Sequence, residues 1–96
     1  MRTVIESPEA QSAADDAFEA WDRAEEAWDA VKWALARDPT VGEPLVEGGN
    51  IRALTFEGAF AYDMPTIVVL YDYDIQRVVI RSARFEVPKA SNIGRA

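Results

Sequence analysis

The 96-residue chain carries 17 acidic and 10 basic residues, a formal charge of −7, and contains neither cysteine nor histidine. That composition excludes a disulfide framework, thiolate chemistry and histidine-based acid-base or metal sites, and it opposes general adhesion to nucleic acid or anionic membrane. The length suits one domain over residues 1–96 with a single modest core, and so one function on one surface.

The charge is segregated along the chain. Residues 1–47 hold 12 acids and 4 bases, whereas residues 48–96 hold 5 acids and 6 bases. From Ile75 onward five bases (Arg77, Arg81, Arg84, Lys89 and Arg95) accompany one acid, Glu86. No apolar run approaches the ~20 residues of a membrane span, and MRTVIESPEA lacks the apolar core of a signal peptide, which predicts a cytoplasmic protein with no membrane partner.

Residues 2–6 (RTVIE) predict a short first strand. Ser7, Pro8 and Glu9 then mark a helix start: a capping hydroxyl, a proline suited to the first turn, and an acid favoured by the helix dipole. Ala10, Ala14, Ala17, Trp21, Ala24, Trp28, Val31 and Leu35 recur at alternating spacings of four and three, with no glycine or proline until Pro39. One continuous helix satisfies that pattern, and a helix hairpin turning at Asp15-Asp16 or Asp22-Arg23 also does. This Ala/Trp seam can cover a sheet, or it can form a homodimer with a second copy. Trp33 points away from the seam toward Asp15, Asp22, Glu26 and Asp29, so it is either wrapped by the C-terminal segment or an anchor for a partner protein.

The helix should stop near Asp38, because Pro39, Gly42 and Pro44 disfavour its continuation. Three strands are expected at residues 51–57, 66–72 and 77–85, the last two joined by a tight reversal at Asp74-Ile75-Gln76. The consecutive apolar residues of IVVLY suggest a central strand covered on both sides. Regular alternation in the last strand puts Val79, Arg81, Ala83 and Phe85 on one face and Val78, Ile80, Ser82 and Arg84 on the other. Arg81 and Arg84 can then act together only through a bulge or a strand end. The expected fold is α+β: a short N-terminal strand, a long helix or helix hairpin, and a three-stranded antiparallel meander, with a loose tail from about residue 88.

From Val31 to Phe85 the order of elements and the local wording resemble the RelE/ParE toxin superfamily of bacterial toxin-antitoxin modules. ALARDPTVGEPL resembles its helix-to-sheet connector, NIRALTF the strand that follows, and IVVLYDYDIQRVVIRSARF its closing hairpin. The resemblance implies a sheet whose open face binds the antitoxin or the target. Some members cleave ribosome-bound messenger RNA with basic residues and a tyrosine, and others act on gyrase without that nuclease set. Arg52 matches a basic position on the second strand, Tyr71 the strand-ending tyrosine, and Arg84 approximately the basic position of the last strand. Val68 and Leu54 stand where the nuclease branch carries basic residues, and its C-terminal tyrosine or histidine has no counterpart after Phe85.

Cleavage through a 2′-hydroxyl needs a proton acceptor, a donor to the leaving oxygen, and cationic stabilisation. Arg52, Arg81 and Arg84 supply only the last, and an ordinary tyrosine is a poor base near neutral pH. The expectation is therefore a toxin-like protein that acts by binding another protein, under control of a cognate antitoxin; the alternative is a non-toxic homodimeric interaction module. Arg77, Arg81 and Arg84 would pair with acidic partner side chains beside an apolar anchor at Leu54 and Phe56, unless they pair internally with the acidic helix. Contact with RNA or DNA is open but not favoured at this net charge. Asp72 and Asp74 alternate with Tyr73 at a turn and complete no ligand set, so neither a metal nor a cofactor is expected.

Overall fold

The computed structural model describes residues 1–88, which form an α+β fold. Strand β1 (Thr3–Glu6) leads into helices α1 (Pro8–Ala20) and α2 (Ala24–Arg37), followed by strands β2 (Glu43–Pro44), β3 (Arg52–Phe56), β4 (Thr66–Tyr73) and β5 (Arg77–Glu86). The five strands make one sheet in the order β1-β5-β4-β3-β2. β3, β4 and β5 form the expected antiparallel meander, β2 extends it at one edge, and β1 returns to pair with β5 in parallel. No described helix is long and apolar enough to cross a membrane.

The start of α1 follows its sequence signal. The Ser7 hydroxyl accepts from the Ala10 amide at 3.1 Å and donates to the Arg81 carbonyl at 2.7 Å, so the cap also ties α1 to β5. The helical region is a hairpin rather than one continuous helix, and its turn falls at Asp22-Arg23, not at Asp15-Asp16. Asp63, 41 residues downstream of Asp22, holds that turn: its carboxylate accepts from the Asp22 amide at 2.8 Å and its carbonyl from the Arg23 amide at 3.2 Å. At the other end of α2 the Asp38 carboxylate accepts from the Thr40 amide and hydroxyl, and Pro39 begins a short 3-10 turn.

The core lies between the helices and one face of the sheet. Ala10, Ala14, Ala27, Trp28, Val31 and Leu35 meet Ile67, Val69, Tyr71, Val78 and Ile80, and the Trp28 and Phe85 rings approach to 5.4 Å. Seven of the eight seam residues are buried, and Trp21 is half-buried, so the seam covers the chain's own sheet and offers no free dimer surface in this conformation. The other sheet face carries no helix among the described residues. Contrary to the expectation for IVVLY, β4 is therefore covered on one side only, leaving Val68 and Leu70 half-buried on the open face. The tail expected beyond Pro88 lies outside the described residues.

Candidate functional site

A register shift decides what the open face presents. Tyr71 pairs with Ile80 and Leu70 with Ser82, which leaves Arg81 as the extra residue of a bulge in β5. Before the bulge Val78 and Ile80 point to the helices, and after it Ala83 and Phe85 do. The faces predicted from strict alternation are thus exchanged over the second half of β5. Val79, Arg81, Ser82 and Arg84 share the open side, joined by Arg77 at the start of the strand.

Each of these arginines has a carboxylate beside it, drawn from the sheet and its turn rather than from the acidic helices. Arg81 donates twice to Asp72, at 2.8 and 3.3 Å; Arg77 lies 3.8 Å from Asp74; and Arg84 pairs with Glu86. The hydrogen bonds and charge of Asp72 hold the Arg81 guanidinium above its already high pKa. Side-chain exposures of 58%, 55% and 72% for Arg77, Arg81 and Arg84 leave all three reachable from solvent. The Arg77–Asp74 and Arg84–Glu86 pairs are exposed and contribute little to folding, whereas Asp72 is only 22% exposed and holds Arg81 through two bonds. Between β1 and β3 the same face has an apolar floor of Ile5, Val79, Leu70, Val68 and Ala53.

The remaining expected site residues lie elsewhere. Arg52, Leu54 and Phe56 share the helix side of β3 with their cross-strand partners Tyr71, Val69 and Ile67. Leu54 and Phe56 pack against the core, so they do not form the anchor expected beside the arginine row; Val68, Leu70 and Val79 occupy that place. Tyr71 is fully buried. Its hydroxyl donates to the Pro39 carbonyl at 2.6 Å and accepts from the Gly42 amide at 2.9 Å, clamping the connector after α2 to the sheet. Burial raises its pKa more than the Gly42 hydrogen bond lowers it, which is opposite to what a general base requires.

Arg52 serves the same clamp. It donates to the Gly42 carbonyl at 2.6 Å, and its guanidinium lies 6.0 Å from the Tyr73 ring centroid; Arg2 lies 5.5 Å from the same ring. Trp33 is 55% exposed on α2, with Arg37 5.8 Å from its ring centroid, and the expected wrapping by the C-terminal segment falls outside the described residues. The structure thus gathers Arg77, Arg81 and Arg84, and separately Arg52 and Tyr71, but does not unite the two groups. Sequence reasoning used Gly42 only as a helix stop and missed its part in the clamp, and it missed Asp63. The usable signals were small: a glycine between two prolines, and an aspartate, one of the few residues that tolerate the left-handed region, which Asp63 occupies at φ 54°.

The chain matches no protein-family model and no curated protein.

Proposed function

We propose that the chain is a divergent member of the RelE/ParE superfamily, a toxin-like component of a toxin-antitoxin module that acts by binding another protein rather than by cutting RNA. The observation that carries this reading is the β5 bulge, which aligns Arg77, Arg81 and Arg84 over an apolar floor on the sheet face without a helix. A short first strand, a helix pair and a meander with one open face are what the resemblance implies. The same arrangement argues against nuclease chemistry, because Tyr71 spends both hydrogen-bonding directions of its hydroxyl on the connector.

The partner chemistry follows from the face. A segment with apolar side chains over Val68, Leu70 and Val79, and acids that replace Asp72, Asp74 and Glu86, would fit a cognate antitoxin. Induction of the chain alone in a bacterial host tests the reading, with an Arg81→Ala, Arg84→Ala variant of equal solubility beside it. Growth arrest by the native chain only is expected. Arrest by both would remove the arginine row from the account, and arrest by neither, with folded and abundant protein, would remove toxicity.

A further inference from the structure

The helical seam runs through its own break. Spacings of four and three continue without a phase change from Ala10 to Leu35, across the turn at residues 21–23. Two helices of a hairpin have no need of a common phase, because each can choose its buried face independently. A single helix from Pro8 to Arg37 would have its whole seam on one side.

The break is also small. Trp21 is extended, at φ −131° and ψ 136°, while Arg23, at φ −111° and ψ 22°, borders helical geometry. Residues 21–23 include neither glycine nor proline. The two hydrogen bonds from the Asp22 and Arg23 amides to Asp63 would be replaced one for one in a continuous helix, by bonds to the carbonyls of Phe18 and Glu19. Beyond those bonds, the Arg23 guanidinium 6.0 Å from the Tyr62 ring centroid also favours the bend.

We propose that a second copy of this chain is a binding partner, joined by exchange of the β1-α1 unit. In that dimer α1 and α2 run as one helix, and β1 and α1 of each copy dock on β5 and α2 of the other. The contacts of the unit are ones that transfer intact: the β1-β5 pairing, the Glu6–Lys32 ion pair at 3.0 Å, the Ser7 hydroxyl on the Arg81 carbonyl, and Ala10 and Ala14 in the core. Only the hinge differs between the two forms, so Asp63 and protein concentration set the balance. The exchange gives the seam a homodimer without exposing any of its buried residues, and it does not rest on the toxin-like reading.

Because the chain has no cysteine, Gln11→Cys and Ala30→Cys introduce unique sites for spin labels on exposed positions of α1 and α2. Labelled protein is diluted into excess unlabelled protein, refolded at low and high concentration, separated by size, and measured by pulsed electron resonance for intrachain distances. Packed helices put the labelled backbones near ~10 Å between axes, whereas 19 residues of continuous helix separate them by about 28 Å. The monomer is expected to give the short distance and the dimer the long one. Asp63→Gly, which keeps the left-handed turn but loses the carboxylate, should raise the dimer fraction severalfold. Asp22→Pro gives up the amide bond to Asp63 in the hairpin, but it should still abolish the dimer, since proline accepts the extended residue before it and not a helix interior. A dimer showing only the short distance, or native chain and folded Asp63→Gly that both stay monomeric at millimolar concentration, would overturn the proposal. Should Asp63→Gly fail to fold, native chain against Asp22→Pro after concentrated refolding decides it.

Discussion

Replacing Tyr71 with phenylalanine separates a structural tyrosine from a catalytic one. The substitution removes one oxygen and leaves the ring in place among Ile67, Val69 and Leu35 in the core. Two backbone groups lose their partner, the Pro39 carbonyl at 2.6 Å and the Gly42 amide at 2.9 Å, both at a buried hydroxyl. At about 1 kcal/mol for each lost bond, and more if a group stays dry and unpaired, the cost is ~2 kcal/mol. With a urea dependence near ~1 kcal/mol per molar for a domain of this size, the unfolding midpoint should fall by about 2 M. The assay is equilibrium urea unfolding followed by tryptophan fluorescence, with the growth phenotype of the same variant measured at a temperature where it remains folded. The clamp predicts lower stability with arrest retained. Unchanged stability combined with lost arrest would return Tyr71 to chemistry.

Gly42→Ala attacks the same clamp from the other side. A Cβ there would sit 2.5 Å from the Tyr71 hydroxyl and 2.7 Å from the Ala53 carbonyl. Overpacking of ~1–3 kcal/mol is expected, read as a thermal midpoint lowered by roughly 4–8 °C per kcal/mol. Trp28→Ala empties the centre of the core and should cost ~3–5 kcal/mol, a large share of the ~5–15 kcal/mol available to a small domain; calorimetry should show a strongly lowered or absent transition. Asp72→Asn removes the charge beside the exposed Arg81 from a half-buried position and should lower the melting temperature by a few degrees at most. On the acid side, hydrogen bonds from the Thr40 hydroxyl and amide lower the pKa of Asp38, and those from the Gln76 and Arg77 amides lower that of Asp74. Folded values below unfolded ones mean that this stabilisation is present above the ordinary carboxylate pKa and is lost as the pH falls through the folded values. The raised pKa of Tyr71 has the opposite sense, with stability lost as the pH rises above the ordinary tyrosine value of ~10. A pH series of unfolding midpoints for native chain and Tyr71→Phe checks both limbs, and the alkaline loss should shrink in the variant.

What the sequence made legible was the part encoded locally. Ser7, Pro8 and Glu9 begin α1 because a hydroxyl, a ring and a carboxylate satisfy a helix start wherever it sits. Pro39 and the apolar runs of β3, β4 and β5 likewise carry their signals within a few residues. The hairpin turn of the helices was open in sequence because its determinant, Asp63, comes from a distant loop. The parallel return of β1 to β5 is likewise a long-range pairing with no local mark. For the site, the bulge could be stated as a condition for Arg81 and Arg84 to cooperate, but its place depends on the register against β4 and not on β5 alone. Arg52 and Tyr71 had the residue types of a reactive pair; the burial of Tyr71 and the contacts of both with the connector around Gly42, 29 residues before Tyr71, give them a structural role that composition could not reveal.

Mapping RNA 5′ ends in cells that express the native chain separates binding from RNA cleavage. Growth arrest with no new RNA ends relative to the Arg81→Ala, Arg84→Ala control is expected. New ends within translated messages, present with the native chain and absent with a folded Tyr71→Phe variant, would contradict it.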